Sequence, residues 1–241
     1  MAQEYTNDAI QGLAKQFWEQ GYLCIPHFFS QKVMQTCQSE IENHFGDSPT
    51  FLHDDNFISR SKTEVIPWFP QREGNSEFDV ISNNSLLQAL SEAILGEGWD
   101  EQYCMVMFSK AGTNGQAWHQ DCPPEDPAQF NLNRLVYTMD VTPELGGEVF
   151  VRPGTHKQGP LTTGPLFEDF DDQVVLVPKA GTLVLLHGHC WHRIGEVKSG
   201  NRVSTNFRAA PKNVPDDITD ICVYRNMRYQ FSTSEVLESY S

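Results

Sequence analysis

The 241-residue chain sets 17 basic against 32 acidic side chains, a net charge of −15, and has 39% hydrophobic residues for a core. That excess of acid removes the attraction that phosphate backbones and anionic lipids offer a protein, so neither nucleic acid nor membrane is an expected partner. No basic segment leads into an apolar run at the start, no stretch reaches the roughly 18 apolar residues of a membrane span, and the six cysteines are scattered without a Cys-x-x-Cys, which predicts a cytoplasmic protein without a zinc or disulfide scaffold.

In chain order, Asn7 is placed to cap a helix with Ile10, Leu13, Ala14 and Phe17 on one face, ended by Gly21. A short strand, Tyr22 to Ile25, runs into Pro26. Ser30 then caps a second helix that turns Val33, Cys37 and Ile41 inward and stops at Gly46. Residues 47 to 82 keep no periodicity and carry Pro49, Pro67, Pro70 and Gly74, which predicts a long irregular excursion, either a lid or a packed surface loop. A third helix, Ser85 to Leu95, follows on Leu86, Leu87, Leu90 and Ile94.

From Tyr103 the texture changes to short β-rich runs between turn residues: Tyr103 to Phe108, Arg134 to Val141, Glu148 to Val151, Val174 to Val177, Thr182 to Leu186 and Arg202 to Phe207. Several short strands without intervening helices point to a mainly β jelly roll or barrel. No internal repeat or linker divides the chain. It reads as one domain over residues 1–241, with a helical flank at about 7–96 and a β core at about 101–210.

The sharpest local feature is Trp118-His119-Gln120-Asp121. On extended chain residues i and i+2 share a face, so His119 and Asp121 can grip one ion from the same side. A third ligand would come from His187-Gly188-His189-Cys190-Trp191-His192, and spacing does not select among its three histidines. Two histidines and one carboxylate with open positions make the facial triad of non-haem Fe(II) oxygenases, although a histidine bonded to a nearby carboxylate is also common in polar cores.

Trp118-His119-Gln120-Asp121 stands together with Gly146-Gly147-Glu148-Val149-Phe150-Val151, Pro153-Gly154-Thr155-His156, the run from Gly181 to Gly188, Trp191-His192 and Asn201-Arg202-Val203-Ser204. With the opening Phe17-Trp18-Glu19-Gln20-Gly21-Tyr22, this set resembles the phytanoyl-CoA dioxygenase family of Fe(II)- and 2-oxoglutarate-dependent oxygenases over roughly residues 10 to 210. The resemblance implies a double-stranded β-helix of the cupin kind with flanking amino-terminal helices. It implies His192 as the distal metal ligand beside His119 and Asp121, with His187 as a structural group. It also implies Arg202, ten residues after His192, as the anchor of 2-oxoglutarate, helped by Ser204 and by Thr138 with Tyr137 beside it. A planar guanidinium suits that role because it can hold the distal carboxylate through two parallel bonds.

The activity implied is oxidation of a C–H bond using O2, with release of succinate and CO2. Hydroxylation leads desaturation or cyclisation, and Asp121 fills the place that related halogenases leave to a small residue. Arg152, where the family pattern usually has an aliphatic residue, His156, Trp68 and Trp191 are candidates for the substrate face; each has a plain packing or ion-pair alternative. The run Glu168-Asp169-Phe170-Asp171-Asp172 reads as a solvated loop or a contact for a cationic substrate. Few basic residues argue against a CoA thioester, and a small amino-acid-like or natural-product substrate is expected. Two other readings are a cupin-like metal-binding sensor without turnover and an oxygenase acting on protein side chains. Nothing in the sequence reports the oligomeric state.

Overall fold

The computed structural model describes residues 6–46, 65–231 and 236–240. In chain order its elements are α1 (Asn7–Gln20), β1 (Tyr22–Ile25), α2 (Gln31–Phe45), β2 (Ile66–Trp68), a short 3-10 turn (Pro70–Glu73), α3 (Asp79–Ser82), α4 (Ser85–Leu95), β3 (Asp100–Lys110), β4 (Gln116–Gln120), β5 (Leu132–Val136) and β6 (Val149–Val151). There follow a 3-10 turn (Thr155–Lys157), β7 (Val174–Leu176), β8 (Leu183–His187), β9 (His192–Ile194), β10 (Asn201–Ala210), β11 (Ile221–Tyr224), β12 (Met227–Phe231) and β13 (Val236–Tyr240).

The strands form two antiparallel sheets, ordered β1-β8-β5-β10-β3-β2 and β13-β12-β11-β4-β9-β6-β7. Their facing sides share an apolar cluster that includes Leu135, Val184 and Leu186 from the first sheet and Val149, Val151 and Ile194 from the second. This is the jelly roll, or double-stranded β-helix, that the strand texture predicts. The helices lie on the outer side of the first sheet. Phe17 of α1, Met34 and Ile41 of α2, and Leu87 and Leu90 of α4 join Val106, Phe108, Leu183, Leu185, Val203 and Phe207 in one core. Removing a side chain of this size from water contributes about 1.5–3 kcal/mol, so this layer is what holds the amino-terminal half to the barrel.

Helix ends follow local chemistry. Thr6, not Asn7, caps α1: it sits in extended backbone and its hydroxyl accepts from the Ala9 amide, leaving Asn7 as the first helical residue. Gly21 closes α1 in the left-handed region, donating to the Phe17 carbonyl, while Ser30 caps α2 and Asn84 caps α4.

Two expectations change. Of the predicted irregular excursion, 47–64 lies outside the described residues, but the rest is ordered into β2, the 3-10 turn and α3, with Trp68 buried in the core. The β structure also extends beyond 101–210. β1 and β2 flank the first sheet, and β11 pairs with β4 so that Tyr224 stands opposite His119. The Arg134–Val141 run ends as strand at Val136, and β10 continues to Ala210.

Candidate metal centre

β4 carries His119, and Asp121 follows one residue beyond its end. His192 opens β9 and stands directly opposite His119 in the ladder, so two neighbouring strands bring the three groups together. Their ligand atoms all lie within 4.8 Å of one another, and all three residues are buried. Close approach of the two segments depends on Gly188: its carbonyl accepts from the Asp121 amide at 2.7 Å, and a Cβ there would meet Asn131 Oδ1 at 2.5 Å and Cys122 Sγ at 2.6 Å.

Hydrogen bonding sets the histidine tautomers. Nδ1 of His119 lies 2.8 Å from the Ala117 carbonyl and Nδ1 of His192 lies 2.9 Å from the Cys190 carbonyl, so each Nδ1 carries the proton and donates. Both Nε2 atoms are left toward Asp121, 3.8 Å from Oδ1 for His119 and 3.3 Å from Oδ2 for His192. Two neutral imidazoles and a carboxylate, with ring orientation fixed from behind, are a donor set suited to a divalent transition metal.

Electrostatics favour the deprotonated forms of His119 and Asp121. Burial, with the neighbouring His192 and Arg208, lowers the His119 pKa to about 3 despite the opposing pull of Asp121. For Asp121 burial acts upward, but Arg208, His192 and His119 overcome it and hold the carboxyl well below the usual carboxylate range.

Asp121 is also tied from behind. Asn133 of β5 donates to its Oδ2 at 2.8 Å, Asn206 of β10 donates to Asn133 Oδ1 at 2.7 Å, and Asn206 Oδ1 accepts from the Arg134 amide at 3.2 Å. Arg208 Nη2 approaches Asp121 Oδ1 at 3.6 Å. This network escaped the sequence reading. Its signal was present in β10, where polar residues 202, 204, 206 and 208 alternate with Val203, Thr205, Phe207 and Ala209.

Further along β10, Arg202 is 3% exposed; its Nε donates to the Gly147 carbonyl at 2.8 Å and its Nη1 to Ser204 Oγ at 3.1 Å. The Tyr137 ring centre lies 6.0 Å from the guanidinium carbon, and its buried hydroxyl faces the guanidinium with no other partner among the described residues. An arginine, a hydroxyl it holds in place and a phenol beside it make a fitting cradle for a carboxylate. Thr138 does not join them. Alternation turns it to the opposite face, where Oγ1 donates to Gln38 of α2 at 2.7 Å.

The four residues considered for the substrate face also sit elsewhere. Trp68 stacks on His44 at 4.0 Å and donates from Nε1 to Glu73, inside the helical core. His156 places Nε2 3.2 Å from the Trp18 carbonyl, against Gly21. Trp191 packs with Trp118 and Leu161 on the outer side of the second sheet. Arg152 pairs with Asp172 at 2.8 Å while lying over Phe170.

The acidic run is engaged rather than free. Asp172 meets Arg152, Asp169 meets Arg193, and Glu168 meets Arg225, which also donates to the carbonyls of Thr162, Thr163 and Pro165. His187 is buried between Phe17, Trp18 and Phe130, a structural position. Its pKa is held well below the ordinary value by burial.

The sequence pattern of the family described as Phytanoyl-CoA dioxygenase (PhyH) matches residues 17–204, most of the chain. The chain belongs to the phytanoyl-CoA dioxygenase family. Membership makes it an Fe(II)- and 2-oxoglutarate-dependent oxygenase, in agreement with the donor set of the triad. Among curated proteins none matches the sequence.

Solved structures of similar fold include the non-haem alpha-ketoglutarate-dependent epimerase SnoN from nogalamycin biosynthesis, at 18% identity and a TM-score of 0.67, covering 91% of this chain and 87% of that one. SnoN is also known in complex with Fe3+, alpha-ketoglutarate and nogalamycin RO. HygX from Streptomyces hygroscopicus, with nickel, 2-oxoglutarate and hygromycin B bound, gives 16% identity and a TM-score of 0.63 over 83% of this chain and 86% of that one. At these identities the likeness describes the fold. Among the described residues no helix is long and apolar enough to cross a membrane.

Proposed function

We propose that this phytanoyl-CoA dioxygenase family member hydroxylates a C–H bond of a small molecule, with 2-oxoglutarate and O2 consumed and succinate and CO2 released. His119, Asp121 and His192 hold the iron, and Arg202 with Ser204 and Tyr137 holds the far carboxylate of the cosubstrate. One observation carries the reading: a buried guanidinium, with the Tyr137 phenol beside it, lies on the same barrel interior as a triad of two histidines and a carboxylate held in orientation from behind.

Iron and 2-oxoglutarate, when bound, supply the activation of O2 and the oxidising power. The chain supplies position. Backbone carbonyls of Ala117 and Cys190 fix the two imidazoles, Asn133 fixes the carboxylate, and Ser204 steadies the Arg202 fork. Apolar walls from Leu135, Val149, Val151, Val184 and Ile194 keep water from the interior beside Tyr137. The small-molecule class is supported by the nogalamycin and hygromycin ligands of SnoN and HygX, which share the fold.

The test needs no substrate. Fe(II) followed by 2-oxoglutarate, added without oxygen, should give the visible charge-transfer band of a chelated keto acid. The band should vanish in His192→Ala and require far more cosubstrate in Arg202→Ala. Metal uptake without any band in the parent protein would refute the oxygenase reading in favour of a metal-binding module.

A further inference from the structure

Arg208 is neither a metal ligand nor a cosubstrate anchor, but it borders Asp121 and stands inside the barrel. It is 5% exposed, its Nη2 approaches Asp121 Oδ1 at 3.6 Å, and its Nε and Nη1 are buried without any hydrogen-bond partner. Tyr103, Cys222 and Cys122 surround it, Asp121 is its one carboxylate within ion-pair distance among the described residues, and Asp220 acts on it from farther off. A guanidinium needs its donors satisfied, and one placed out of water with two nitrogens unmatched is costly unless a ligand completes it.

Its place along the strand is informative. Arg202 and Arg208 share the inward face of β10 six residues apart, which at the usual rise is about 20 Å, with Asn206 and the link to Asp121 between them. The two arginines therefore serve opposite ends of the interior, one on each side of the triad. Inside the barrel Arg202 and Arg208 stand with the Asp121 carboxylate, while Glu148 acts on Arg202 and Asp220 on Arg208 from farther off. A divalent metal would engage the charge of Asp121 and leave Arg208 no other carboxylate within ion-pair distance among the described residues.

We infer that Arg208 is a substrate-recognition residue that receives a carboxylate of the small-molecule substrate, seated on the side of the metal remote from Arg202. This rests on the functional reading above. The open Nε and Nη1 lie on different edges of the guanidinium, and at either edge a carboxylate accepts a charge-assisted hydrogen bond, whereas an amide offers one acceptor and no charge. The acidic run does not compete for this role, because Glu168, Asp169 and Asp172 are each paired with an arginine of their own.

The test uses the full chain loaded with Mn(II) and 2-oxoglutarate, so that Arg202 is already occupied. A panel of monocarboxylates from acetate to phenylacetate is titrated calorimetrically, each beside its amide. At least one carboxylate should bind tenfold or more tightly than its amide. Arg208→Gln should bring that probe to the amide level, Arg208→Lys should retain part of the preference, and both should keep 2-oxoglutarate affinity within about threefold, with any fall in Mn(II) affinity smaller than the loss of probe affinity. Equal binding of carboxylates and amides by the parent overturns the inference without any variant. So does a preference that survives Arg208→Gln. An equal loss of metal and probe affinity would make Arg208 a positioning residue for Asp121 instead. Failure of the functional reading shows separately, as a parent protein that takes up Mn(II) but no 2-oxoglutarate.

Discussion

Gly147→Ala offers a test of the cosubstrate cradle without touching a ligand. Gly147 has φ +71°, and a Cβ built on it would lie 2.2 Å from Arg202 Cδ, 2.8 Å from Nε and 3.1 Å from Cγ. A contact that close to the stem of a buried side chain cannot be relieved by the far end alone, so the guanidinium must withdraw from Ser204 and from the Gly147 carbonyl it now bonds at 2.8 Å. Hydrogen bonds to charged groups contribute about 1.5–3 kcal/mol each, and losing one of a parallel pair should weaken 2-oxoglutarate about 10- to 100-fold. Left-handed backbone at an alanine should also cost about 1–2 kcal/mol of stability. Anaerobic titration of the keto-acid band measures the first effect and thermal unfolding the second. Fe(II) affinity should stay at the parent value, because none of the three ligands touches Gly147. A folded variant whose 2-oxoglutarate affinity lies within threefold of the parent would refute the reasoning.

Three further outcomes are expected. Asn133→Leu removes the donor to Asp121 Oδ2 and should lower metal affinity about 10- to 100-fold, read by titration against a competing chelator; unchanged affinity would show the Asn133–Asn206 link to be incidental. In metal-free protein the His119 pKa is depressed to about 3 from 6.5, so the unfolded chain binds the extra proton, and the stability is complete above pH 6.5 and lost as pH falls toward 3. The loss by pH 5 should be about 2 kcal/mol, and a melting temperature flat from pH 7.5 to 5 would contradict it. Arg225→Met leaves Glu168 and three carbonyls without their donor, and should open the 162–168 segment to limited proteolysis and destabilise the protein by about 3 kcal/mol.

What the sequence disclosed follows from how local each signal is. The triad was legible because His119 and Asp121 lie two apart on one strand, and the tryptophan before His192 carried the family resemblance to the third ligand. Helix stops at Gly21 and Gly46 were legible for the same reason, each being decided within one turn. Substrate-face residues were not, because side-chain direction there depends on which sheet face is inside. Trp191 is adjacent to His192 in the chain yet points to the other side of the sheet, and Thr138 is separated from Tyr137 in the same way. The fate of the acidic run was equally hidden, since its partners Arg152, Arg193 and Arg225 come from different parts of the second sheet and its loops. Arg208 was available to an alternation argument continued beyond Ser204.

β10 is held by a neighbour on either side, β3 over nearly its whole length and β5 along part of it. Its even-numbered residues furnish the chemistry and its odd-numbered ones the helical core, so the strand works as a ruler whose graduations cannot be renumbered. Insertion or deletion of one residue ahead of it would drive Val203 and Phe207 inside and Arg202 and Arg208 among the helices. Evolutionary variation in what this enzyme accepts is thereby channelled into substitutions at fixed marks of β10 and into the connections around the barrel mouth, while changes of length within the strand are closed to it.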